Sequence, residues 1–344
     1  MIKRKKLLIF TDTYPSMVNG VQTSLNELQK NLHTIHVEVI SADQFYNIPF
    51  PTYREVRLSV VTPRHIMRII EAQKPDYIHI ATEWTIGFSA ARACQKHNIP
   101  YTSAFHTKLP EYIHLRSRMI QEDWIHRALQ YIHQSSKRIF VSSTNMRDYL
   151  KENGYSREKI SVLPFWVDHH TFFPWPKTLF QNIPHPVLLY VWRVAIEKNI
   201  HDFLSIKTSG SKIVVGDGPL FEKLSQAYPE VHFLGFKRKE ELGEIYRSAD
   251  VFVFPSLTDT LGLVNIEALA CGLPVLAYDV DGPNTMIKNG VNGILVAYGK
   301  TLTSWLKLIG SIHNKDCVIS VNHYNWEKYC ELFLKGQVRI LYRQ

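Results

Sequence analysis

The sequence predicts an α/β protein built from two doubly wound parallel-sheet domains. Three observations predict it. Short apolar runs alternate with amphipathic stretches along most of the chain, as in sheets whose strands are covered on both faces by helices. The alternation breaks once, at Phe172-Phe173-Pro174-Trp175-Pro176, and then restarts. The length, 344 residues, is that of two ordinary domains rather than one.

Taken in order, residues 7–10, 37–40, 77–80, 101–105 and 138–141 read as buried strands of a first domain, 1–172. Residues 23–32, 65–73 and 87–97 carry helical spacing between them. The Pro- and aromatic-rich stretch 172–186 reads as a linker. A second strand set follows at 187–190, 212–215, 232–234, 251–254 and 275–277, in a domain spanning 173–325. A terminal helix, 326–344, has Tyr329, Phe333 and Val338 at helical spacing, and is expected to pack on either domain, a crossing back to the first included.

Composition narrows the function classes. With 45% hydrophobic and 21% charged residues, the chain is neither disordered nor fibrous. No stretch approaches the roughly 18–20 apolar residues that span a bilayer. The basic start Lys3-Arg4-Lys5-Lys6 leads into only Leu7-Leu8-Ile9-Phe10 before Thr11-Asp12. That is too short for a signal peptide and reads as the lead into a buried strand. Cys94, Cys271, Cys317 and Cys330 are scattered, which argues against zinc ribbons and disulfide frameworks and fits a reducing cytoplasm. The net charge of +9 is uneven: residues 1–174 hold 22 Lys/Arg against 15 Asp/Glu, a surplus of 7. Such a surplus either marks an anionic partner or is the ordinary surface of a basic protein. No nucleic-acid-binding motif accompanies it, so nucleic acid is not an expected partner.

Ligands of doubly wound sheets bind beyond the carboxyl ends of the strands, so chemistry is sought there. After the first strand, Gly20 leads into a helix; it either presents free amides to an anion or eases a plain turn. After residues 101–105, His106 either meets a substrate hydroxyl or is a structural turn residue. After 187–190, Arg193 and Lys198 bracket a loop leading into a helix, a pairing that suits a diphosphate. Gly216 opens a tight turn, Gly216-Asp217-Gly218-Pro219. Leu234, in Phe233-Leu234-Gly235-Phe236, either walls a base pocket or ends a buried strand. The most specific stretch runs from Pro255 to Pro274. Asp259 lies in its loop, and Glu267 stands eight positions on, one turn inside the following helix, which Gly272 and Pro274 end. Amides of Leu261, Gly262, Leu263 and Val264 would face a phosphate, while the two acids would bind hydroxyls. Phosphates in the middle with polyols at both ends describe a nucleotide-sugar.

Together, Asn19-Gly20-Val21, Phe105-His106-Thr107, residues 191–199, Gly216-Asp217-Gly218-Pro219 and Asp259 through Glu267 resemble the GT-B retaining glycosyltransferases of family GT4, in particular bacterial mannosyl- and lipid-hexosyltransferases. The family motif Thr-Asp-Thr-Phe-Gly is nearly kept in Thr258-Asp259-Thr260-Leu261-Gly262, and Pro51-Thr52-Tyr53-Arg54-Glu55-Val56-Arg57-Leu58 also resembles that group. The resemblance implies two Rossmann-like domains facing a cleft. It implies transfer of a hexose from a UDP- or GDP-sugar to a lipid or glycan hydroxyl, with retention. Glu267 would hold the ribose, Asp259 would stand near the donor sugar, Arg193 and Lys198 would neutralise the diphosphate, and His106 would contact the donor sugar. No cofactor is implied and no metal, because the cations replace it. Asp279 and Asp281 are spaced as a metal pair but follow residues 275–277, outside the donor motif, and read as loop residues. The basic first domain, with Lys108, Arg116, Arg118, Arg127, Lys137 and Arg138 near Trp124 and Tyr131, either sits peripherally on an anionic cytoplasmic membrane face or is a solvated helix with its aromatics in the core. Two residues depart from the family: Trp192 and Trp166 stand where Gly is usual. Either they reshape or impair the donor pocket, the latter leaving a non-catalytic nucleotide-sugar binder, or both indoles pack inward.

Overall fold

The computed structural model describes residues 4–14, 20–50, 53–106, 108, 122–257, 259 and 262–341. Two compact units divide the chain: one comprises 1–164 with 327–344, the other 165–326.

The first unit runs β1 (Lys6–Phe10), α1 (Gly20–Asn31), β2 (His36–Ile40), a hairpin of β3 (Asn47–Phe50) and β4 (Tyr53–Ser59), α2 (Pro63–Gln73), β5 (Tyr77–Ile80), α3 (Thr85–Lys96), β6 (Thr102–Phe105), α4 (Glu122–His133), β7 (Arg138–Val141), α5 (Thr144–Glu152) and β8 (Ile160–Val162). Its six-stranded parallel sheet has the order β2-β1-β5-β6-β7-β8. Leu7, Leu8, Ile9 and Phe10 are all fully buried, as expected of a strand covered on both faces. Thr62 starts α2 by accepting the backbone N–H of His65, and Lys74 ends it in the left-handed region.

The second unit runs β9 (Leu188–Val191), α6 (Ile200–Leu204), β10 (Lys212–Val215), α7 (Phe221–Ala227), β11 (His232–Phe233), α8 (Lys239–Ser248), β12 (Val251–Phe254), α9 (Leu263–Ala270), β13 (Val275–Tyr278), β14 (Gly293–Val296), α10 (Leu306–Ile309) and α11 (Asn314–Val321). Its sheet order is β11-β10-β9-β12-β13-β14, again all parallel. The strand order therefore reverses between β9 and β12, where loops after the strands open a crevice. In the first unit the reversal lies between β1 and β5.

Two Rossmann-like parallel-sheet halves are thus present. The division falls at Pro164/Phe165, ahead of the Pro/aromatic stretch, because Val167 and Phe172 are buried in the second core and Phe172 packs edge-to-face on Tyr246. The last helix, α12 (Trp326–Gly336), belongs from Glu327 onward to the first unit. Its Phe333 packs on His79 and Phe140, and its Gly336 lies where a Cβ would come within 2.4 Å of the Phe140 ring. The sequence reading did not include β8, β14 or the β3–β4 hairpin.

Candidate active site

In the second unit the loops after β9 and β10 are tied backbone to backbone. The Trp192 N–H donates to the Val215 carbonyl at 3.1 Å and the Val194 N–H to the Asp217 carbonyl at 3.0 Å. Gly216 is required there: its φ is +127°, and a Cβ would lie 2.0 Å from the Trp192 carbonyl oxygen. The Arg193 carbonyl accepts from the Tyr190 hydroxyl at 3.0 Å. Lys198 ends a 3₁₀ turn, Ile196–Lys198, and Asn199 follows in the left-handed region before α6.

Lys198 Nζ donates to Asp259 Oδ1 at 2.6 Å, with the two side chains 14% and 13% exposed. A pair so nearly removed from water is held only where each charge keeps its partner. The same ammonium lies 4.9 Å from the centre of the Trp192 ring, which itself packs edge-to-face on Phe254. The structure therefore brings together Trp192, Lys198 and Asp259, with Gly216 behind them.

Glu267 is held separately. It sits in α9, half-buried, and accepts the Tyr246 hydroxyl at 3.1 Å. Burial pushes its carboxyl up to about 7, against the opposing pull of the Tyr246 hydroxyl and the Lys239 charge. Gly262 precedes α9 with φ +76°, and a Cβ there would meet Asn265 at 2.7 Å and the Phe254 ring at 2.8 Å. No side chain of the cap residue closes the N-terminus of α9. Leu263 and Val264 form its first turn, Val264 buried and Leu263 half-buried, and Leu234 packs on the core just after β11. Leu261, Thr258 and Thr260 lie outside the described residues. Asp279 and Asp281 follow β13 in non-helical, non-strand backbone. Of the two tryptophans, Trp166 is buried, 4.7 Å from Trp326 ring to ring.

In the first unit Gly20 begins α1, and His106 follows β6. Burial, then the nearby His133, pushes His106 down to about 4. His133 is fully buried, 2.8 Å from Ser103 Oγ through Nδ1 and 3.5 Å from Glu83 Oε1 through Nε2. Burial also raises the Glu83 carboxyl. Asp12, after β1, accepts from the Thr82 and Thr85 hydroxyls and from the N–H groups of Trp84, Ile86 and Gly87, closing the N-terminus of α3. Asp12, Glu83 and His133 escaped the sequence reading. Asp12 and Glu83 stand just past β1 and β5, so the strand-end rule that selected Gly20 and His106 was the signal available. Asn19, Thr107, Pro51, Thr52, Arg116 and Arg118 lie outside the described residues.

Residues 18–171 match the family described as Glycosyltransferase Family 4, and residues 185–313 match Glycosyl transferases group 1. The chain belongs to glycosyltransferase family 4. Among curated relatives of this glycosyltransferase, the sulfoquinovosyl transferase SQD2 of Arabidopsis thaliana is 27% identical over 91% of this chain and 68% of its own. The alpha-monoglucosyldiacylglycerol synthase of Acholeplasma laidlawii is 25% identical over 94% of both chains. A GDP-mannose-dependent alpha-mannosyltransferase of Mycobacterium tuberculosis is 26% identical over 86% of this chain and 84% of its own. Among solved structures, HepE of Anabaena in complex with UDP and glucose superposes with a TM-score of 0.73 at 17% identity, covering 96% of this chain and 98% of that one. Sucrose-phosphate synthase of Thermosynechococcus elongatus gives 0.75 at 19% identity with the same coverage. The family 4 glycosyltransferase has the GT-B fold, two Rossmann-like halves in one chain.

Proposed function

We propose that this enzyme moves a hexose of the mannose or glucose type from a UDP- or GDP-sugar to a hydroxyl of a lipid or glycan acceptor, with retention at the anomeric carbon and without a metal. The observation that carries the reading is the Lys198–Asp259 pair at the strand-order reversal of the second unit, beside a helix whose N-terminus begins at an uncapped Gly262. The relatives named for glucosyldiacylglycerol synthesis and GDP-mannose-dependent transfer support the substrate classes.

In this reading Lys198 and Arg193 take the diphosphate charge as it develops on the leaving group. Amides of residues 262–264, with Gly216 in the neighbouring loop, cradle the phosphates. Asp259 meets donor sugar hydroxyls, and Glu267, steadied by Tyr246, holds the ribose. His106, largely uncharged at neutral pH because burial depresses it, would meet a sugar by hydrogen bonds rather than by charge. The departing diphosphate accepts the acceptor hydroxyl's proton on the face it leaves, which gives retention. No helix among the described residues is long and apolar enough to cross a membrane, and a lipid acceptor would be met from the cytoplasmic membrane face by the basic first unit.

A second reading, a nucleotide-sugar binder without turnover, draws on Trp192, which stands against Lys198 where the family usually has Gly. One experiment separates the two. UDP- and GDP-sugars are screened for thermal stabilisation, and the stabilising donor is then incubated, with and without chelator, with diacylglycerol and with a glycan acceptor. Product resistant to chelator supports the proposal. Stabilisation without any product supports the binder, and product only with added Mg²⁺ or Mn²⁺ removes the metal-free mechanism.

A further inference from the structure

Resting on the donor-site reading above, we propose that Trp192 is a positioning residue for Lys198: its indole face seats the ammonium that the donor diphosphate meets. Three observations meet at this side chain. The Lys198 ammonium lies 4.9 Å from the ring centre while bonding Asp259 at 2.6 Å, so it is shared between a π face and a carboxylate. The indole cannot drift, because its backbone N–H is tied to Val215, its carbonyl is pressed against Gly216, and its ring abuts Phe254 edge-on. Its own Nε1–H, although buried, has no hydrogen-bond partner among the described residues. A buried indole normally finds one. The residue is therefore held by ring contacts with Phe254 and Lys198 and not by its polar edge.

The chemistry follows from what lysine is. Its ammonium is a compact charge on a four-carbon stem with many rotamers, and a loop of this kind does not by itself fix where that charge sits. Asp259 alone would hold it, but a carboxylate competes with the incoming diphosphate for the same protons. An aromatic face attracts the cation without carrying a net charge. It keeps the ammonium at the crevice when Asp259 turns its oxygens to a sugar hydroxyl. A chain with Gly at this position must fix its lysine by other contacts; this chain has the indole.

The test is a double-mutant cycle on nucleoside-diphosphate affinity, read by calorimetry with UDP and GDP and without acceptor. Trp192→Phe keeps a ring and is expected to bind within about 3-fold of wild type. Trp192→Leu keeps apolar bulk without the π face and is expected to bind about 3- to 30-fold more weakly, the span of cation–π contacts from exposed to desolvated. In a Lys198→Ala background, Trp192→Leu is expected to change nothing further, because its effect passes through the ammonium. Thermal unfolding of each variant separates lost packing from lost positioning. Equal losses from Trp192→Leu with and without Lys198, or Phe and Leu behaving alike, would overturn the inference while leaving the transferase reading intact. A wild type that binds neither diphosphate and forms no product overturns both.

Discussion

The two units carry the same architecture and treat the same crevice in opposite ways. Where the strand order reverses in the first unit, Asp12 reaches across to α3 and accepts two hydroxyls and three backbone N–H groups. The helix N-terminus, a natural anion site, is filled by the protein's own carboxylate. At the equivalent place in the second unit, α9 begins at Gly262, a cap residue without a side chain, and the nearby charges are Lys198 and Asp259, paired at 2.6 Å. One crevice is sealed by an internal anion and serves the fold. The other holds a lysine–aspartate pair, which the proposed function assigns to the donor. A doubly wound sheet supplies the crevice; the first unit places one acid there and the second an acid paired with a lysine.

The largest expected effect tests the sealed crevice. Asp12→Ala removes the acceptor for several partly buried donors at once and should cost about 3–5 kcal/mol of stability, as breaking a buried charged network does. Chemical denaturation measures it. Loss of less than about 1 kcal/mol would mean that α3 does not depend on this cap.

The open crevice is tested next. Lys198→Ala should raise the activation barrier by about 2–4 kcal/mol, the scale for loss of one preorganised electrostatic contact in a transition state, with kcat falling more than donor KM rises. A wild-type kcat in this variant would take the lysine out of the chemistry and leave the two crevices equivalent.

How far this contrast was legible in the sequence depends on the range over which each residue acts. Strands buried on both faces read directly as apolar runs, so both sheets were visible. The hairpin was not: Tyr53–Ser59 holds Arg54, Glu55 and Arg57, and without an apolar run it does not announce a strand. Family-like spacing singled out Lys198, Asp259 and Glu267, and the fold sets the first two against each other. Asp12 stands at a strand end, but its role was not legible, since its partners lie 70 to 75 positions away and nothing local marks the pairing. His133 likewise meets Ser103 and Glu83 only through the fold. The domain boundary needed packing to locate it: Val167 and Phe172 stand before or within the Pro/aromatic stretch, yet both are buried in the second core.

Glu267 sharpens the comparison through pH. Its folded pKa of about 7 lies above that of a free carboxylate. A raised acid favours the folded state most while it is protonated, so this contribution is present at low pH and is lost as pH rises from about 4.5 through 7. It should amount to about 3 kcal/mol. Donor affinity should run the other way, improving as the carboxylate ionises and accepts ribose hydroxyls. Glu267→Gln should flatten both profiles. A wild-type donor affinity that is flat from pH 5.5 to 8 would separate this residue from the ribose.

The smallest effect concerns the outer face of the first unit. Of its basic residues, Arg127 and Lys137 are exposed, whereas Arg138 is half-buried and donates to Ser161 Oγ at 2.8 Å, and Lys108 lies 4.4 Å from the centre of the Tyr149 ring. Among the described residues of this face, Arg127 and Lys137 are exposed cations that the proposed membrane contact would use, each contributing about 1 kcal/mol. Replacing both with Gln should weaken sedimentation with phosphatidylglycerol vesicles by roughly 10- to 30-fold at low salt. The difference should shrink as salt rises, because attraction is screened within about 8–10 Å at physiological ionic strength. A second basic surface provides the control. Arg64, Arg68, Arg92 and Lys96 line a groove at α2 and α3. If Arg92 and Lys96 are replaced instead, vesicle binding should hold. Should that pair prove the more damaging, the membrane-facing side of the unit is the α2–α3 groove and not α4, and the acceptor would approach from there.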